Sequence, residues 1–142
     1  MAKIKYIPCD MWKRGVYAFI GSLSEFKDWA LNETKEEWSD DFLDMVRGLD
    51  KNKIGIASCN YDNNGTSVIL MPKFPKTPKE LAYVGHEILH ATFIMLDYCG
   101  VEYIKHTNHE TFTYLHEHIA RNVYEKIGYK EFDNKKKIDG KI

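Results

Sequence analysis

The sequence is poor in cysteine, and no two of its cysteines stand close enough to form a metal-binding or redox pair. Cys9, Cys59 and Cys99 are odd in number and far apart. They exclude a disulfide frame and a cysteine-based zinc site, and read as reduced thiols of a cytosolic protein. No apolar run reaches the ~18 residues that a membrane span requires. The longest, near Ala82–Leu96, is interrupted by His86, Glu87 and His90. Met1–Lys5 lacks the apolar centre of a secretory signal. An excess of basic charge is missing too: 20 Lys and Arg face 21 Asp and Glu, for a net charge of −1. Without a basic field, nucleic acid is not an expected partner. A membrane is not expected either, and the expected compartment is the cytoplasm.

Repeats and low-complexity segments are also absent. The 142 residues supply one core, and 44% apolar against 29% charged residues excludes disorder of the whole chain. One domain is expected over residues 1–130. A charged tail, 131–142, follows and contains Asn134-Lys135-Lys136-Lys137; it reads as a solvated terminus.

The first half alternates strand and helix signals. Lys3–Pro8 and Val16–Ile20 are short strands, the second ending at Gly21. Ser22 and Glu25 have capping-box spacing before a helix that carries Phe26, Trp29 and Ala30. A second helix is expected over Asp40–Arg47, with Phe42, Leu43 and Val46 inward. Lys53–Tyr61 and Thr66–Met71 read as strands joined through Asp62-Asn63-Asn64-Gly65, where Asn-Gly tolerates positive φ. Trp12, Trp29 and Trp38 read as packing residues. The second half reads as two helices. Thr77-Pro78-Lys79-Glu80 opens the first, which runs to about Tyr98 and stops at Gly100. The last runs from Thr107 or Asn108 to about Lys126, with Phe112, Leu115, Ile119, Val123 and Ile127 on its apolar side.

His86-Glu87-Ile88-Leu89-His90 carries the chemistry that the sequence suggests. Leu81, Val84, Ile88, Ala91, Met95 and Tyr98 share one side of the helix; His86 and His90 lie opposite, about 40° apart. Two histidines one turn apart can meet one zinc ion, and the glutamate between them can take a proton from a zinc-bound water. The expected number of chance matches to this pattern is on the order of 0.02 at this composition. Zinc at a catalytic site needs a third protein ligand. A histidine at position 96 is absent, since that residue is Leu96. Glu110 is the leading candidate, with His106, His109 and Glu117 as competitors. Thr107-Asn108-His109-Glu110 is also a capping box, which gives Glu110 a purely structural alternative. Tyr114 falls about 40° from Glu110 and could donate a hydrogen bond to a developing oxyanion, orient a ligand or simply pack. His116 and His118 read as solvent-exposed.

Gly85–Ala91 followed by Asn108–Tyr114 resembles the zincin superfamily of gluzincin type, and is most similar to small zincin-like metallopeptidases often encoded by bacteriophages. The resemblance covers roughly residues 77–127. It implies a zinc hydrolase of peptide bonds, in the host cytoplasm if phage-encoded, with a small twisted sheet against the motif helix and an edge strand lining the cleft. It implies zinc on His86, His90 and Glu110, and Glu87 as the base. The chain departs from thermolysin-like members at Tyr114, where they carry an aspartate.

The expectation is therefore an α+β fold: a mixed sheet of three to four strands packed by a motif helix and a C-terminal helix. The expected function is zinc-dependent peptide-bond hydrolysis, with a peptide or protein substrate extended along Thr66–Met71 if that strand is an edge. The alternative is a zinc-binding module that holds a protein partner without cutting it. A wholly structural domain without metal is the remaining reading.

Overall fold

Two short apolar runs form the middle of the sheet. In a computed structural model, which describes residues 1–129, Val16–Ile20 belongs to strand β2 (Arg14–Ile20) and the second run is strand β4 (Ser67–Met71). Both faces of these runs are covered, so neither shows the apolar–polar alternation of a half-exposed strand. Val16, Ala18, Ile69 and Met71 face one layer; Phe19, Val68 and Leu70 face the other. β2 and β4 run parallel, with Val16 opposite Ser67 and Ile20 opposite Met71. Strand β1 (Lys3–Cys9) pairs antiparallel with β2, and strand β3 (Ser58–Tyr61) pairs antiparallel with β4. The order is β1-β2-β4-β3, a mixed four-stranded sheet in an α+β fold.

One face of the sheet carries helices α1 (Leu23–Asp28) and α2 (Asp40–Gly48). Ser22 and Glu25 form the reciprocal capping box of α1, and Ser39 caps α2 through the backbone N–H of Phe42. A π-helical turn, Trp29–Glu33, follows α1 and buries Trp29 and Ala30 against Phe19, Phe26, Phe42 and Val46. The other face carries helices α3 (Pro78–Tyr98) and α4 (His109–Ile127). Val84, Ile88, Ala91 and Met95 of α3 meet Phe112, Leu115, Ile119 and Val123 of α4 over Ile7, Val16 and Ile69. Each fully buried aliphatic side chain contributes about 1.5–3 kcal/mol, so this layer fixes both long helices on the sheet.

Three expectations about elements are corrected. The strand expected over residues 53–61 shortens to β3. Asp50 makes a turn instead, accepting from the backbone N–H of Lys53 through its carbonyl and from that of Asn52 through its carboxylate. The strand expected over residues 66–71 is central, not an edge, so no substrate can extend along it. The capping box expected at residues 107–110 does not form. The Asn108 side chain is spent on the preceding loop, accepting from the N–H of Ile104 at 2.8 Å and donating to the carbonyl of Glu102. The charged tail expected at 131–142 lies outside the described residues.

Both sheet edges are closed by side chains from the long helices. On β1, the carbonyls of Tyr6 and Pro8 accept from Lys126 Nζ at 2.8 Å and His118 Nε2 at 2.9 Å. Pro8 itself has no N–H to offer, a common way to blunt an edge. On β3, the N–H of Cys59 donates to Glu87 Oε2 at 2.8 Å. Lys3 Nζ donates to the carbonyl of Ile127 at 2.7 Å, placing a cation at the C-terminal end of α4. Among the described residues no helix is long and apolar enough to cross a membrane.

Candidate functional site

The motif helix forms as expected. Thr77 and Glu80 make its capping box and Pro78 opens its first turn. His86 and His90 are exposed and meet at 3.1 Å between their Nε2 atoms, so one ring donates to the other. Glu87 does not stand free beside them. Its carboxylate is turned to the β3 edge, where it holds the Cys59 N–H.

No third ligand joins the two histidines. Among the described residues, no group of three or more His, Cys, Asp or Glu side chains is arranged to hold a metal ion. Packing explains why. The apolar stripe of α4 is pressed onto α3 and the sheet. Glu110 and Tyr114 lie away from that stripe and line a cleft with the β1 end of the sheet. His106 sits in the 99–108 connection at φ 65°, His109 is the exposed first residue of α4, and Glu117 pairs with Arg121. The zinc site on His86, His90 and Glu110 is therefore corrected. With it go the zinc cofactor, the metallopeptidase activity with Glu87 as base, and the zinc-holding module. The chain matches no protein family, no curated protein and no solved structure, so the zincin resemblance has no support beyond the motif itself.

What the structure builds instead is a cleft of about 600 Å3 between α4 and the turn that follows β1. Pro8 and Cys9 come from β1. Asp10, Met11 and Trp12 come from a 3-10 turn that ends at Lys13, which takes the left-handed conformation with φ 55°. α4 supplies Glu110, Thr111, Tyr114, Leu115 and His118. Leu115 and Cys9 are buried, Trp12 packs partly on the core, and Met11 and Tyr114 stand out at 84% and 67% exposure. The cleft thus has an apolar floor and adaptable apolar walls.

Its polar groups are few. His118 is committed to the Pro8 carbonyl, which ties α4 to the β1 edge. Asp10 and Glu110 bring two carboxylates to the lining, and among the described residues neither forms an ion pair. The Cys9 thiol is pushed up to about 11, first by burial and then by the Asp10 charge. It is neutral at physiological pH and serves as apolar floor rather than as a nucleophile.

Two of the expected site residues, Glu110 and Tyr114, are thus brought together, while His86, His90 and Glu87 do not line this cleft. Pattern reading missed Asp10 and Met11, read Trp12 as packing, and read His118 as solvent-exposed, which it is, without its bond to the Pro8 carbonyl. The local signal was an acidic, apolar and aromatic triplet, Asp10-Met11-Trp12, directly after a strand. Its juxtaposition with α4 joins residues about a hundred positions apart, and no local pattern encodes that.

Proposed function

We propose that the chain is a metal-independent binding domain for a segment of a partner protein. An apolar side chain of the partner enters the cleft, and a neighbouring Lys or Arg lies against Asp10 and Glu110. The observation that carries this reading is the combination in one cleft of a buried apolar floor, exposed Met11 and Tyr114, and two carboxylates. A volume of about 600 Å3 falls in the range of ligand pockets. Burying one large apolar side chain is worth about 1.5–3 kcal/mol, and each exposed carboxylate–cation pair adds only about 0.2–1 kcal/mol. Binding is accordingly expected to be micromolar or weaker, with charge setting preference more than strength.

The test is a titration of short peptides with a central Phe or Leu flanked by Lys, Ser or Glu. Trp12 fluorescence is the readout, and Trp12→Phe gives the background of Trp29 and Trp38. Lys-flanked peptides should bind best and Glu-flanked ones at least about tenfold more weakly, the scale of two lost charge pairs and new repulsion. Asp10→Asn with Glu110→Gln should remove most of that preference. Met11→Ser with Tyr114→Ala, both at exposed positions, should weaken every peptide. Equal binding by all three peptide classes, or binding indifferent to Met11 and Tyr114, would overturn the reading.

A further inference from the structure

The outer face of α3 carries a pattern that the fold itself does not use. Ala82, His86, Leu89 and Phe93 follow one another at spacings of four, three and four residues, the period with which one helix lies along another. All four are exposed, Leu89 at 45% and Phe93 at 43%, on the side of the helix turned away from the core layer. The Phe93 ring rests against Phe112, 5.1 Å away, so its position is set in advance. None of these residues lines the cleft between α4 and the turn after β1.

The two ends of the stripe carry opposite charge. Lys79 precedes it and Asp97 follows it, about five whole turns and 27 Å further on, so both lie on the same edge of the stripe. Each stands nine residues from Ile88. Both are exposed, and among the described residues neither enters an ion pair. Between them the stripe itself has no Asp, Glu, Lys or Arg. Such a face is complementary to its own copy when the copy is reversed, which is the geometry of a two-fold interface.

We propose that a second copy of the chain covers this face, with the two α3 helices packed antiparallel about a two-fold axis level with Ile88. Each Lys79 then meets the partner's Asp97, and each large Phe93 meets the small Ala82 of the second copy. Leu89 lies near the axis, beside its own counterpart and His86. A parallel pair would set Lys79 on Lys79 and Asp97 on Asp97, so charge selects the antiparallel arrangement. One helix pair buries far less than the ~2,000 Å2 or more of a permanent dimer. The association is therefore reversible, with a dissociation constant on the order of 100 µM.

The experiment is sedimentation equilibrium of the full chain from about 5 µM to about 1 mM, a range that brackets such a constant. Wild type should pass from monomer to dimer across it. Leu89→Glu, which sets two carboxylates near the axis, should remain monomeric. Lys79→Asp alone and Asp97→Lys alone each turn two attractive contacts into repulsive ones and should weaken the dimer about tenfold. The double variant, Lys79→Asp with Asp97→Lys, restores both pairs with the charges exchanged and should return to wild-type association. Both exchanges place charge favourably for the helix dipole, so α3 is kept, and circular dichroism checks this. Rescue by the double variant is a result that a merely structural role for these residues would not give. A wild-type chain that stays monomeric up to about 1 mM, the top of that range, would overturn the proposal. So would a dimer indifferent to Leu89→Glu, or one that the double variant fails to restore.

Discussion

Glu87 accepts a 2.8 Å hydrogen bond from the backbone N–H of Cys59, and so the glutamate of the His86–His90 motif closes a sheet edge. An exposed strand edge is a template for unwanted pairing. β1 is blunted by Pro8, His118 and Lys126, while β3 has Glu87. The two long helices therefore do more than cover one face. Each sends side chains to the border of the sheet.

This assignment predicts an asymmetry between two substitutions. Glu87→Ala removes the acceptor from a half-buried N–H and should destabilise the fold by about 1–3 kcal/mol, the cost of leaving such a donor unpaired. Glu87→Gln keeps an oxygen in place and should cost less than about 1 kcal/mol, the difference between a charge-assisted and a neutral bond. Urea unfolding measures both, and amide exchange at Cys59 reports the bond directly. A Glu87→Ala protein with wild-type stability and unchanged Cys59 exchange would remove the capping role.

Gly65 closes the turn between β3 and β4 at φ +83°, and a Cβ there would stand 2.9 Å from the Tyr98 ring. Tyr98 in turn lies under the Arg14 guanidinium, 4.7 Å from its ring centroid. Gly65→Ala meets a disfavoured backbone conformation and a crowded neighbour together. The expected loss is about 1–3 kcal/mol, with a shift of the Tyr98 ring resonances. An alanine variant as stable as the wild type, with Tyr98 unmoved, would show that the turn relaxes freely.

Most elements were legible in the sequence because their signals are local. Ser22 with Glu25, Thr77 with Pro78 and Glu80, and Asn64-Gly65 each mark a boundary within a few residues. The sheet order was not legible, because the parallel pairing of β2 with β4 joins strands about fifty residues apart. The same limit misdirected the site. Spacing along α3 placed His86 and His90 together correctly, at 3.1 Å. Whether Glu110 reaches them depends on how α4 turns on the sheet, and that is set by Phe112, Leu115 and Ile119 seeking the core. The cleft of Asp10, Met11 and Trp12 against Glu110 and Tyr114 follows from that same long-range packing.

The thiols should differ in reactivity. Cys99 is exposed, whereas burial, and second the Glu87 charge, push the Cys59 thiol up to about 12. Burial likewise raises Cys9 to about 11. At pH 8 iodoacetamide should modify Cys99 first, with Cys59 and Cys9 at least about a hundredfold slower in the folded protein, because the thiolate is the nucleophile. Glu87→Gln should speed Cys59 modification by removing the adjacent charge. Mass spectrometry of timed digests gives the order, and equal rates at all three sites in folded protein would contradict it.

Glu80 makes stability depend on acid. Its carboxylate accepts from the backbone N–H groups of Lys76 and Thr77 and pairs with Lys73 at 2.9 Å, tying the loop after β4 to the first turn of α3. The Lys76 hydrogen bond foremost, then Lys73, lower its pKa from 4.5 to about 2. A carboxyl held lower in the folded state than in the unfolded chain stabilises the fold fully above about pH 4.5, and that contribution fades as pH falls toward about 2. Glu80→Gln should therefore be less stable than wild type at pH 7, with the gap narrowing steadily below about pH 4.5 and closing near pH 2. Thermal unfolding of the two proteins at a series of pH values measures the gap. A gap that fails to narrow between pH 7 and pH 3 would mean that the ionised Glu80 carboxylate does not carry the effect, since glutamine preserves the shape and removes only the charge.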